Sequence, residues 1–335
     1  MNTKVKTGIG MLGAFALMGT GSTYAEIQLA KGLTADGFID MSATYTDPDS
    51  GETDESMSFD QFEIDFYFDF ENGVKARVDI DHEPSDDTDA TEVEQAILSY
   101  ATEGGLTLQA GRFLTPLGYE AAEPTGLWQY SASATIIGYP GYANGVAARQ
   151  GFGDVASVYV AVVDGSYTGD SDANDLSFEA QLKLMPFEGF TFQAGYASEE
   201  MAGTDAIGVL GDVDFVAATE SYDQGFANFW AEYALSIGDG TLTVAGEYNQ
   251  LFEIGASDAD GDGYLVMANY SVNKVGLTVR HSAVELDTGY EDTAFTVSPN
   301  YTFNDNLFGL VEFRTDDFGD DGDATSLAAE LIFTF

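Results

Sequence analysis

No cysteine occurs anywhere in the 335 residues. That excludes disulfide staples, thiolate nucleophiles and thiolate metal sites. Basic residues are scarce too: 11 Lys and Arg stand against 57 Asp and Glu, for a formal net charge of −46. A chain so poor in cations has no basic face, so nucleic-acid binding is excluded. It repels itself unless salt screens it, which points to a saline or cation-rich habitat. Only two histidines, His82 and His281, are available for acid–base chemistry. His281 precedes Ser282, but neighbours in a strand point to opposite faces and cannot form a dyad directly. His82 ends a candidate strand beside an acidic loop and reads as a solvated residue. No enzyme activity and no cofactor are expected. Beyond the N-terminal segment, no apolar run approaches the length of a transmembrane helix.

What is present begins with a leader pattern. Lys4 and Lys6 precede an apolar run from Gly8 to Met18, and Thr23-Tyr24-Ala25 offers a small-residue cleavage site before Glu26. Residues 1–25 are therefore expected to be a secretory signal peptide, too short to span a membrane, and 26–335 a single barrel domain.

Alternation is the decisive signal. Phe62, Ile64, Phe66, Phe68 and Phe70 interleave with Gln61, Glu63, Asp65, Tyr67 and Asp69. This is a period of two, with one apolar and one mostly charged face. Asn72-Gly73, a hairpin signal, follows, and Val74, Ala76, Val78 and Ile80 then alternate with Lys75, Arg77, Asp79 and Asp81. The same reading gives candidate strands at 36–46, 57–71, 74–82, 93–102, 106–113, 144–152, 155–164, 175–185, 189–198, 225–235, 241–251, 264–272, 275–283, 293–303, 307–315 and 325–335. Their connections alternate between short turns and longer, mostly acidic loops. One apolar face per strand suits lipid outside and water inside, so the expected fold is an all-β transmembrane antiparallel barrel of about 16 strands. A soluble sandwich would have to bury every apolar face centrally. The final strand, from Ser326 to Phe335, keeps the alternation and ends on an aromatic, like the C-terminal signal of bacterial outer-membrane barrels.

One connection breaks the pattern. Leu114 to Ala143 carries Pro116, Gly118, Pro124, Pro140 and several aromatics, which suits a compact folded loop. It is expected to fold into the lumen and narrow it. The segment from Gly111 to Val146 around it, with Gly111-Arg112-Phe113, Thr115-Pro116, Gly118-Tyr119-Glu120, Tyr130-Ser131, Pro140 and Gly145-Val146, resembles the OmpL-like β-barrel porins. The order of elements also resembles the general sixteen-strand porins, whose long third extracellular loop folds inward. The resemblance implies an outer-membrane channel passing small solutes and ions, surrounded by outer-membrane lipid, and assembled as a homotrimer.

A pore constriction with a transverse field needs acids on the loop opposite bases on the wall. Glu120 and Glu123 lie on the loop, while Lys75, Arg77 and Arg149 fall on lumen parity. A second reading, that these are ordinary solvated lumen charges, stays open. Arg112 falls on the apolar parity unless a bulge near Gly111 turns it inward. Trp230 falls on the polar parity, which marks either a lumen residue or a register slip. Asp258, Asp260 and Asp262, with Gly263, match the first half of a calcium loop and are the candidate metal ligands for divalent cations at the acidic loops. The bidentate Glu due later in that loop is replaced by Asn269, so a plain acidic hairpin tip is the competing reading. Carboxylates outnumber cations on lumen parity, so a conducting pore is expected to prefer cations. Two other functional readings stay open: a non-conducting surface barrel (adhesin, receptor or structural), and an outer-membrane hydrolase.

Overall fold

The computed structural model describes residues 27–84, 89–167, 176–201, 222–254, 259–319 and 322–335. The expected leader (1–25), most of the Glu199–Gln224 loop and Asp258 lie outside the described residues. Strands dominate: β1 (Ile27–Ala30), β2 (Leu33–Pro48), β3 (Asp54–Asp69), β4 (Val74–Pro84), β5 (Asp89–Ala101), β6 (Leu106–Leu114), β7 (Tyr142–Phe152), β8 (Ala156–Val163), β9 (Ser177–Leu184), β10 (Phe190–Met201), β11 (Tyr222–Ile237), β12 (Gly240–Ile254), β13 (Ala259–Val272), β14 (Val275–Leu286), β15 (Glu291–Asn304), β16 (Leu307–Asp317) and β17 (Asp323–Thr334). Among the described residues, no helix is long and apolar enough to cross a membrane.

Sixteen of these seventeen strands, β2 to β17, form a closed antiparallel barrel. Each pairs with the next, and β17 returns to β2 from Ala324↔Pro48 to Thr334↔Phe38. Phe335 and Gly37 exchange both backbone hydrogen bonds at 3.0 Å, so the terminal aromatic residue completes the seam. β1 turns back at Lys31-Gly32 and pairs with Leu33 to Ala35, the part of β2 beyond the reach of β17. Closure matters because an unpaired edge in lipid leaves N–H and C=O groups without partners.

The alternation is borne out in register. Leu327, Leu331 and Phe333 face outward at 50%, 47% and 43% exposure, while Ala328, Glu330 and Ile332 between them are buried. Strands extend beyond their expected ends mostly on the long-loop side. β13 takes in Ala259 to Gly263, and β15 starts at Glu291. Asp and Gly there read as turn residues, but neighbouring strands are equally long and keep their backbone groups paired.

Gly111 (φ 131°) lets β6 pass close to β5. A Cβ at Gly111 would sit 1.9 Å from the Ala96 carbonyl oxygen. Beside it Arg112 keeps its apolar parity. Its Nε donates to the Glu94 carbonyl at 3.0 Å, and its guanidinium lies 5.8 Å from the Tyr142 ring centroid.

Candidate functional site

The segment 115–141 enters the barrel and is bonded to its inner wall. Its base is pinched where Thr115 N–H donates to the Gly141 carbonyl at 3.3 Å and Gly141 N–H donates to Ser166 at 2.7 Å. Two short 3-10 turns, Pro124–Gly126 and Ala134–Gly138, compact it. At Gly118 (φ 94°) a Cβ would sit 2.3 Å from the Tyr139 ring, so only glycine lets loop and ring approach so closely.

Irregular backbone within a barrel needs partners, and lumen side chains supply them. Glu247 of β12 accepts from Tyr139 Oη at 2.6 Å, Tyr119 N at 2.9 Å and Thr135 Oγ1 at 3.1 Å. Burial, reinforced by Glu247, pushes the Tyr139 phenol well above its ordinary value, so it stays protonated and donates. Glu312 of β16 accepts from Tyr130 N at 2.9 Å and Ser131 N at 3.1 Å. Gln193 donates to the Pro116 carbonyl at 3.0 Å, and Thr278 donates to that of Trp128 at 3.2 Å.

Apolar contacts act with these bonds. Tyr119 meets Trp230 edge-on at 5.6 Å, in a cluster with Ala245, Leu265 and Met267. Leu117 and Ala134 join Phe226, Leu251 and Ile254 in a second cluster. These wall residues break the rule that inward positions are polar, because the loop rather than water covers them. Trp230 thus faces the lumen, in unbroken register with Glu247 and Gln193. Ser282 donates nothing to His281; it faces inward and accepts from Ala134 N at 3.1 Å, while His281 contacts Tyr264 on the outer face.

The expected acids and bases are distributed differently from the transverse pairing drawn from sequence. Glu120 is buried against Arg280 of β14, with NH1 to Oε1 at 2.6 Å and side-chain exposures of 0% and 2%. It also accepts from Gln129 at 2.8 Å and Ser133 N at 2.7 Å. Arg280 donates to the Ser131 carbonyl at 2.7 Å and Oγ at 2.8 Å. Arg314 joins it at the Ala132 carbonyl. Glu123 instead reaches the β3 side, accepting from Gln61 at 3.1 Å and Tyr142 Oη at 3.2 Å. Burial, with negative Asp81 nearby, raises its carboxyl above the usual range.

Lys75 sits near the short-turn rim, 3.3 Å from Asp69, with its own side chain partly exposed and that of Asp69 exposed. Arg77 bridges Asp79 at 2.7 Å and Asp65 at 3.2 Å, and lies 5.4 Å from the Tyr67 ring. Arg149 donates to Gln181 at 3.2 Å and lies 5.1 Å from the Tyr159 ring. Lys75 and Arg77 are thus engaged by wall acids, and the loop acid Glu120 by Arg280. Asp260 and Asp262 lie within β13 on its outer parity, where they accept from Glu253 N and the Tyr248 hydroxyl respectively. An extended strand sets alternate side chains about 6.6 Å apart and does not wrap them around one ion as a calcium loop does.

Arg280, Arg314, Glu247 and Glu312 were not singled out from sequence. All four lie on polar lumen parity, so alternation alone contained the signal. Which of them the loop would meet depends on its path.

No curated protein sequence matches the chain. Solved barrels match it in shape. OmpT of Vibrio cholerae superposes with a TM-score of 0.63 at 15% identity, covering 92% of this chain and 100% of that one. Salmonella typhi OmpF in complex with daunomycin gives 0.67 at 13%, covering 92% and 100%. The anion-selective porin of Comamonas acidovorans gives 0.66 at 12%, covering 90% and 99%. At such identities the likeness is one of fold. The family model described as "Putative beta-barrel porin-2, OmpL-like" matches residues 50–335, so the chain belongs to that family of outer-membrane porins.

Proposed function

We propose that this barrel is a passive diffusion channel for small hydrophilic solutes and ions, and that it prefers cations. The observation that carries the reading is the loop 115–141, fastened inside a closed porin barrel by wall residues of β3, β12 and β16. Selectivity in such a pore comes from width and lining charge. The inner face of the β3–β5 wall carries Glu63, Asp65, Asp79, Asp81 and Glu94, of which Arg77 pairs with Asp65 and Asp79. Walls of one sign concentrate counter-ions. A trimer is supported by a fold relative, V. cholerae OmpT, which has a structure in trimer form.

A closed lumen is the second reading. It is favoured by loop contacts on opposite sides of the barrel, with Tyr130 near Ser42 of β2 and Pro116 held by Gln193 of β10. Single-channel recording of purified protein in a planar bilayer decides between the two. Discrete conductance steps, with a KCl-gradient reversal potential of cationic sign, are the expected result. Absence of steps from folded protein would establish the closed reading.

A further inference from the structure

Three wall carboxylates converge: Glu63 of β3, Asp79 of β4 and Glu94 of β5 each offer an oxygen within 4.8 Å of the other two. They are 1%, 0% and 8% exposed. Glu94 reaches this position through a bulge. Pairing jumps from Asp79↔Gln95 to Ile80↔Val93, so Glu94 turns inward beside Gln95. Oε2 of Glu63 and Oε2 of Glu94 are both buried without a hydrogen-bond partner. Arg77 engages only the Asp79 corner of the cluster, together with Asp65, and Arg112 is bonded to the Glu94 backbone carbonyl, so neither is paired with the Glu63 or Glu94 carboxylate. Gln95 donates to the second oxygen of Asp79 at 2.6 Å. Glu63 and Glu94 therefore carry buried oxygens that no protein donor satisfies, a condition that calls for a bound cation or a proton.

We propose that Glu63, Asp79 and Glu94 bind one calcium ion in the barrel wall. The donors are all oxygen, which selects a hard cation over zinc or copper. Magnesium demands a near-ideal octahedron and gives up its waters reluctantly, whereas calcium accepts a flexible set of protein carboxylates, so a buried wall site with three such ligands favours calcium. Glu123 of the loop is close enough to Glu63 and Glu94 to interact electrostatically with both. The ion thus ties three strands together where the loop meets them, and offsets the repulsion that Glu123 meets there.

Binding is measured on the full chain folded in detergent, stripped with chelator and dialysed against radioactive calcium at neutral pH. One tight ion per chain is expected above a background of weak loop binding. The combined Glu63→Gln, Glu94→Gln variant should weaken that tight site at least ~10-fold. The loop variant Glu52→Gln, Asp54→Asn should leave it unchanged. A folded band on an unheated gel confirms that the variants have assembled. If the double variant does not assemble, Glu94→Gln alone is used, together with wild-type melting in calcium, magnesium or chelator at matched ionic strength. A saturable rise in melting temperature specific to calcium is then expected. The proposal is overturned by the absence of a tight ion in wild type, which would mean that protons neutralise the cluster. It is equally overturned by undiminished affinity in the assembled variant, or by magnesium binding as tightly as calcium. None of these readouts depends on conductance, so this site and the channel reading can fail separately.

Discussion

Replacing Arg280 by Met keeps the volume on β14 but removes the cation that faces Glu120. The two side chains meet at 2.6 Å and are 0% and 2% exposed. Removing one member of a buried pair leaves an uncompensated charge and costs about 3–5 kcal/mol. Arg280 also holds the Ser131 carbonyl and hydroxyl, the Ala132 carbonyl and Thr296 Oγ1, so the loss falls on residues 129–133 of the loop. The barrel seam is elsewhere, at β17 and β2, and should be unaffected. Other anchors persist: hydrogen bonds to Glu247 and Glu312 contribute about 0.5–1.5 kcal/mol each. The loop should therefore stay attached at Tyr119 and Tyr139 while its central part opens roughly 10²- to 10⁴-fold more often. Single-channel records should show a larger mean conductance with added flicker, and proteases should cut near residues 129–133 while the unheated band stays folded. The double variant Glu120→Gln, Arg280→Met removes both charges of the pair together and should behave more like wild type. The reasoning is refuted if Arg280→Met matches wild type in both noise and proteolysis, or if the double variant is worse than the single.

Other changes test other parts of the structure. Trp230→Ala removes the ring that Tyr119 packs against and should weaken loop docking by about 3–5 kcal/mol, giving the same protease sensitivity as Arg280→Met. Neutralising Glu123 should lower cation selectivity more than neutralising Glu120, because Arg280 already compensates Glu120; equal shifts in reversal potential would contradict this. That selectivity should be strongest in dilute salt, since the Debye length is ~10 Å at 0.1 M and shortens as salt rises. Phe66→Lys places a charge on the outward parity of β3 and should cost ~2–4 kcal/mol near the bilayer midplane, seen as loss of the folded band; normal assembly would mean that parity is misassigned.

Strand identity and facing were legible in the residues because a lipid-exposed barrel imposes a strict period of two. Phe62 to Phe68 outside and Gln61 to Asp65 inside show it directly. The same constraint set the strand number, whereas the inward turn of the third long loop was read from its length, its prolines and aromatics and its family resemblance. Less was legible at the ends. β1 is four residues long, too short for periodicity, and exists because β2 offers it an uncovered edge. Asp and Gly at the upper strand ends read as turns until neighbouring strands of equal length paired with them. The charges divide the same way. Alternation placed Lys75, Arg77 and Arg149 on the wall, and loop chemistry placed Glu120 and Glu123 on the segment that crosses it. Partner choice is a property of the loop's path, which Gly118, Tyr119 and Trp230 set by contacts between residues far apart in the chain. Only the tertiary structure could join Glu120 to Arg280, Tyr139 to Glu247, and Glu94 through its bulge to Glu63 and Asp79, because each pairing rests on distance in space and not on spacing along the strand.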